Sequence, residues 1–432
     1  MAALHATRGS MLRDSYRSSH ARVVIPFTPR HASGRMVVTA PRSAPTILPL
    51  GTSAGRPSTR QSAMASPVNT IDRIINKTFV GWTPADVPDF TGKVAMVTGG
   101  SSGIGWELVR TLAMKGCKVF MVSRTQKGAD VAIANLANES VYAAGLITVL
   151  QCDMSSLKEV DAMSQAFRDT GCKLDLLVLN AGVFFPGPFK RTEDGMEQTL
   201  GINYFAQIRL LTNLEDKLLE ARPSRIVFTS SHAEFAGRVD WQDLRGSSYT
   251  DSGLVPYGSA KLYMLMFAKE LQDRYTQNGF AVDVLVQQPG VTSSPILEKE
   301  DLGYVTGSLV YALGQIIGYP VKVGAIPLQF TATSPKLTGK GFQYIGPNHL
   351  QLFLTESREP LNPAFKRPEM RRRLFTETLD ILKQAVGPRI QDRNSKPAGS
   401  KPEDEQPQKG RQVALPQPKS ASLTASSGPF AV

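Results

Sequence analysis

Short apolar runs recur through the middle of the chain, separated by longer stretches in which apolar residues return every three or four positions. The runs at 93–98, 118–123, 147–152, 174–179, 225–230 and 282–287 are rich in Val, Ile and Leu. They lack strict polar alternation, the pattern of strands covered on both faces. Helical stretches separate most of them. Strand–helix–strand repetition predicts an α/β fold: a doubly wound parallel sheet in one Rossmann-type domain. A last amphipathic helix is predicted over 369–386, with Met370, Leu374, Leu379, Ile381 and Leu382 as its core-facing stripe, stopped by Gly387-Pro388.

Charge divides the 432 residues differently. The formal net charge is +12, but residues 1–66 hold nine Arg, no Lys and one acid, Asp14, for +8. Residues 387–432 hold seven basic and four acidic side chains, for +3, which leaves 67–386 at +1. A body so close to neutral has no electrostatic footprint for nucleic acid. Residues 1–66 are rich in Arg, Ser, Thr and Ala, with no apolar core of a secretory signal, as in an organelle transit peptide. Abundant Ser, Thr and Pro favour chloroplast over mitochondrion. The Pro-, Lys-, Gln- and Ser-rich stretch 387–432 is expected to be a disordered tail. That leaves 67–386 as the catalytic domain. No apolar run reaches the roughly 18 residues of a membrane span, 309–318 coming nearest, so only peripheral membrane contact is left open. Cys117, Cys152 and Cys172 have no metal-binding or redox spacing and adjoin predicted strands, so buried free thiols and no metal are expected.

Two motifs carry chemistry. T-G-G-S-S-G-I-G, from Thr98 to Gly105, follows the first predicted strand and opens a helix. Gly99, Gly103 and Gly105 allow a tight turn close to a pyrophosphate, and the helix start supplies amide donors. Y-G-S-A-K, from Tyr257 to Lys261, sets a phenol and an ammonium on one helix face. A free Tyr has a pKa of about 10, and a nearby cation lowers it. Tyr263 and Tyr275 lack a Lys four residues on and are expected to pack.

From 82 to 386 the chain resembles the short-chain dehydrogenase/reductase superfamily, in its retinol-dehydrogenase-like branch. W-T-P-A-D-V-P-D-F-T-G-K-V at 82–94, N-A-G at Asn180, Ala181 and Gly182, C-D-M-S-S with Asp153, G-I-N-Y-F with Asn203, T-S-S-H with Ser231 and the turn Pro289-Gly290 all carry the likeness, as do 324–335 and 343–347. The resemblance implies that Tyr257 exchanges a proton with the substrate oxygen while hydride moves to or from nicotinamide. Ser231 holds that oxygen, Lys261 lowers the Tyr257 pKa and binds the nicotinamide ribose, and Asn203 positions a water beside Lys261. Thr98, Gly99, Ser101, Ser102, Gly103, Ile104 and Gly105 would cradle the cofactor with Asn180, Ala181, Gly182, Pro289 and Gly290, and Asp153 would contact adenine. Ser230 rivals Ser231, but neighbours on a strand face opposite ways. His232 reads as a pocket-rim or structural histidine. After the second strand, Ser123 stands where an NAD-preferring member has an acid, and Arg124 follows, which implies NADP(H). Ser294 stands where the family often has Thr.

The stretch between Ser231 and Tyr257, with Asp240, Trp241 and Asp243, is either a substrate entrance or a surface loop. Val183, Phe184, Phe185, Phe189 and the stretch 296–319 suit a hydrophobic carbonyl or alcohol substrate. Two other functions are open. Protochlorophyllide-reductase-like chemistry is disfavoured by Val291 where those enzymes usually carry Cys. A redox-sensing protein of the plastid import machinery would use Arg371-Arg372-Arg373 as a calmodulin-binding segment.

Overall fold

The computed structural model describes residues 81–184, 187–249, 251–292, 319–347 and 355–388. The proposed transit peptide, the tail from 389, Phe185, Ser294 and 309–318 lie outside the described residues.

β1 (Val94–Thr98), β2 (Lys118–Ser123), β3 (Ile147–Gln151), β4 (Leu176–Leu179), β5 (Ser224–Thr229) and β6 (Val282–Gln287) match the six predicted strands to within two residues. β4 starts late because the Leu174 N–H goes to the Lys217 carbonyl at 3.0 Å, outside the sheet. A seventh parallel strand, β7 (Gln343–Gly346), was not predicted: four residues bounded by glycines are too short for a periodic signal. A two-residue antiparallel strand, β8 (Glu356–Ser357), closes that edge. The order is β8-β7-β6-β5-β4-β1-β2-β3.

Alternate strand residues feed opposite cores, which is why the strands show no polar face. Met96 and Phe228 join the layer containing α4 (Leu157–Asp169), α5 (Ala206–Glu220), α6 (Leu254–Gln277) and α8 (Pro368–Val386). Ala95, Val97 and Val227 join the layer containing α1 (Gly103–Met114), α2 (Gln126–Glu139), α3 (Val141–Gly145) and α7 (Ile326–Thr333). Fully burying a side chain such as Phe228 contributes about 1.5–3 kcal/mol.

The predicted final helix is α8, beginning one residue earlier at Pro368. Its stripe buries Leu374, Phe375 and Leu382, and Phe375 stacks on Phe267 of α6 at 4.4 Å. Arg209, 2% exposed, pairs with Asp161 and donates to the carbonyls of Gly387 and Pro388, fixing the end of α8.

Cys117 and Cys152 are buried, and burial pushes both thiols up to about 12. Cys172 departs from expectation: it lies in the turn before β4, half-exposed, with its Sγ 3.4 Å from Lys118 Nζ. Among the described residues no helix is long and apolar enough to cross a membrane, and no cluster suits a metal ion.

Candidate active site

The strand order reverses between β1 and β4. In open α/β sheets ligands bind beyond the carboxyl ends of the strands at such a point. The glycine-rich loop leaves β1 there, and Asn180-Ala181-Gly182 leaves β4 beside it.

Gly99 and Gly103 adopt φ of 63° and 56°, the left-handed region that favours glycine. A Cβ on Gly105 would lie 2.3 Å from the Gly99 carbonyl and 2.6 Å from Asn180 Nδ2, so no side chain fits. Ser102 opens α1 without capping it through its hydroxyl, and the first ladder bond runs from Trp106 N–H to the Ser102 carbonyl. The amides of Gly103, Ile104 and Gly105 therefore have no acceptor in the helix, and the helix dipole favours an anion there. Ser123 ties the loop to β2: its hydroxyl donates to the Thr125 carbonyl at 3.0 Å and shares a hydrogen bond with the Ser101 hydroxyl at 2.9 Å.

Thr98 and Asn180 brace the loop from below. Thr98 Oγ1 accepts the N–H groups of Asn180 and Ala181 at 2.8 and 2.9 Å, and Asn180 Nδ2 donates to the Thr98 carbonyl at 3.0 Å. Arg124 is exposed at the exit of β2, and its guanidinium has no partner among the described residues. Asp153, half-buried after β3, accepts the Ser155 N–H at 2.8 Å. Gly290 has φ of 73°, and its N–H donates to Gln288 Oε1 at 2.8 Å.

Tyr257 lies in the first turn of α6, with Lys261 one turn on. Ser231 ends the exit of β5 and its hydroxyl hydrogen-bonds the Tyr257 side chain. Ser230 faces the other way: it is buried and donates to the Lys261 carbonyl at 3.0 Å. Alternation along the strand has chosen between the two serines. Burial pushes the Tyr257 phenol up to about 12, and the Ser231 hydrogen bond opposes this. Lys261 has no part in that shift, contrary to the expectation from spacing alone. Its Nζ lies 5.4 Å from the Tyr257 ring centre and donates to the Thr229 carbonyl at 2.9 Å. Burial pulls Lys261 down to about 7, so near neutrality it carries only part of its charge.

Asn203 is fully buried in a π-helical turn, Gly201–Phe205. Its carboxamide accepts the Val183 N–H at 2.8 Å and donates to the Val183 carbonyl at 2.9 Å. A Cβ on Gly182 would lie 3.5 Å from both Asn203 Oδ1 and Lys261 Nζ, so the Asn, the Lys and the N-A-G turn converge.

The half-buried Phe184 meets Tyr257 edge-on, ring centres 5.2 Å apart. Gly187–Pro188 pairs with Asp251–Ser252, joining the loop after N-A-G to the segment that enters α6. The rest of the segment between Ser231 and Tyr257 braces α8: Arg373 lies 4.2 Å over the Trp241 ring, and Arg245 donates to Gln384 at 3.1 Å.

Several buried polar residues had no signal in any motif. Gln207 shares the Thr98 hydroxyl at 3.1 Å and donates to the Ala181 carbonyl at 3.0 Å. Glu234, fully buried, accepts the N–H groups of Leu361 and Asn362 at 2.5 and 3.1 Å, and burial raises its pKa. Gln288 lies 3.3 Å from His232 and donates to the Pro347 carbonyl at 3.1 Å, which gives His232 a structural setting. A lone amide or acid in an apolar run was the only available hint.

An uncapped helix start, a glycine cradle and a Ser–Tyr–Lys cluster at the switch point define an NAD(P)-binding oxidoreductase site. The sequence matches the short chain dehydrogenase family over residues 93–304. It is 31% identical to mouse (Mus musculus) polyprenol dehydrogenase over 302 residues, covering 69% of this chain and 86% of the relative. It is 32% identical to mouse retinol dehydrogenase 12 over 228 residues, covering 53% and 70%. The fold matches the crystal structure of an uncharacterised protein from Mycobacterium Paratuberculosis at a TM-score of 0.55 and 26% identity, over 70% of this chain and 97% of that one. The chain belongs to the short-chain dehydrogenase/reductase family and is an oxidoreductase acting on alcohol and carbonyl groups.

Proposed function

We propose that the protein is an NADP(H)-dependent oxidoreductase that transfers hydride between nicotinamide and a carbonyl or alcohol of a hydrophobic substrate. The observation that carries this reading is the Ser231–Tyr257–Lys261 cluster beside a glycine cradle, with Arg124, whose guanidinium has no partner among the described residues, at its far end. The bound dinucleotide would supply the hydride. Tyr257 passes the proton to or from the substrate oxygen, and Ser231 orients that oxygen by hydrogen bonding. Asn203 holds the N-A-G turn against Lys261. Phe184 gives an apolar wall beside Tyr257, and two relatives named for polyprenol and retinol favour long apolar alcohols.

Lys261 gives the pH dependence. In the free protein its pKa is about 7. An anionic cofactor nearby raises that value, because it favours the ammonium. Between the free and bound values, binding takes up a proton, so the cofactor Kd rises as pH increases above about 7. Calorimetry of NADPH binding in buffers of different ionisation heat is expected to show proton uptake near pH 8 in the wild type and little in Lys261→Met. Equal uptake in both would assign the proton to another group.

We further propose that residues 1–66 direct the protein to the chloroplast. N-terminal sequencing of protein from the source organism is expected to begin between Val38 and Ile71. An intact Met1 on cytosolic protein would overturn this.

The calmodulin-dependent alternative gains no support, since the apolar face of α8 is already buried against α6.

A further inference from the structure

β6, β5, β4 and β1 are neighbours in the sheet, and one chain of hydrogen bonds crosses their carboxyl ends. It begins at Gln287, the last residue of β6, which is fully buried and paired in register with Thr229. Gln287 Nε2 donates to Thr229 Oγ1 at 2.9 Å. A hydroxyl carries one proton. Having accepted from Gln287, Thr229 turns its own proton to Asn180 Oδ1, 3.4 Å away. That leaves Asn180 Nδ2 facing the Thr98 and Gly99 carbonyls at 3.0 and 3.5 Å. The donor direction thus runs from β6 to the glycine loop, and each amide orientation depends on the one before it. A flipped Asn180 would set its oxygen against two carbonyl oxygens.

Gln287 is also held there at a cost. Its Oε1 has no partner among the described residues, and a buried amide oxygen without a donor is destabilising. Met would fill the space without that penalty. What Met cannot supply is the donor. Thr229 has a second role in the same place, because its backbone carbonyl receives Lys261 Nζ.

We propose that Gln287 is a positioning residue for cofactor binding: through Thr229 it fixes the Asn180 amide, and so the backbone of the phosphate-cradling loop. This rests on the dinucleotide-binding reading above. It concerns a residue outside every motif that suggested that reading.

The test is a double-mutant cycle on NADPH affinity, read by fluorescence or calorimetry together with the thermal midpoint. Gln287→Met and Thr229→Val are each expected to raise the NADPH Kd by roughly three- to tenfold, the equivalent of about one neutral hydrogen bond. The double variant is expected to be no weaker than the weaker single, because both changes break the same chain. Thr229→Ser, which keeps the hydroxyl, is expected to bind like the wild type. Should Gln287→Met not fold, the contrast between Thr229→Val and Thr229→Ser carries the test. An unchanged Kd in either Gln287→Met or Thr229→Val, or effects that multiply in the double variant, would overturn the proposal while leaving the enzyme reading intact. A wild type that binds neither NADPH nor NADH would overturn both.

Discussion

Tyr257→Phe is expected to lower turnover by about 10² to 10⁴-fold, the usual contribution of a general acid–base group, with cofactor affinity close to wild type. The substitution removes one oxygen and keeps the ring that Phe184 meets edge-on. It leaves the cradle untouched, since among the described residues Asn180 and Ala181 are held by Thr98 and not by the Tyr257 hydroxyl. With its pKa pushed up to about 12, the phenol is protonated at neutral pH in the free protein. It is therefore an acid ready for carbonyl reduction. Oxidation of an alcohol needs the phenolate, which a protonated Lys261 would favour once cofactor charge raises the lysine pKa. Reduction should accordingly tolerate neutral pH better than oxidation does. Ser231→Ala removes the hydroxyl that bonds Tyr257, and its loss of turnover should resemble that of Tyr257→Phe. Ser230→Ala removes a bond to the Lys261 carbonyl on the far face of the strand. It should reduce stability by about 1 kcal/mol and leave turnover within a few-fold. Turnover rates of the three variants, with Kd measured alongside, separate these roles.

Arg124→Ala is expected to reduce the preference for NADPH over NADH by roughly 10 to 150-fold. One charge-assisted hydrogen bond contributes about 1.5–3 kcal/mol, and each 1.4 kcal/mol or so is tenfold. The guanidinium is exposed and unpartnered among the described residues, so it gives up no existing ion pair when a phosphate arrives. Solvent screening at so open a site places the effect toward the lower end. Ser123 adds no charge to repel the phosphate, because its hydroxyl is neutral where a carboxylate would be anionic. The check is kcat/KM with both cofactors for wild type and variant. An unchanged ratio would show that Arg124 does not read the 2′-phosphate.

Much of this site was legible before any coordinates. β2 and β6 were located to the residue because each is a short Val-rich run bounded by turn residues. The glycine cradle was legible for a similar reason: only glycine tolerates the 2.3 Å approach at residue 105, so a steric demand is written as a residue type. Alternation showed that only one of Ser230 and Ser231 can face the site, and the family resemblance pointed to Ser231. β7 was invisible because four residues carry too little pattern, and its place in the sheet comes from pairing with β6, a long-range contact. The two side chains of Tyr257 and Lys261 are neighbours as spacing implied, but the hydrogen bond that holds Lys261 Nζ was not legible, for a related reason. Helical spacing puts both on one face, but Thr229, from a strand far away in sequence, captures the ammonium. Gln207, Glu234 and Gln287 were missed because an isolated polar residue in an apolar run has no period. Its partner is what gives it meaning.

The most direct measurement is NADPH oxidation by protein from about residue 67 onward, against a panel of apolar aldehydes and ketones, with wild type and Tyr257→Phe side by side. The account predicts NADPH consumption by the wild type with at least one long-chain carbonyl, and a turnover in Tyr257→Phe lower by about 10²-fold or more at unchanged NADPH Kd. Near-equal turnover in the two proteins, or no consumption of NADPH with any member of the panel, would contradict it.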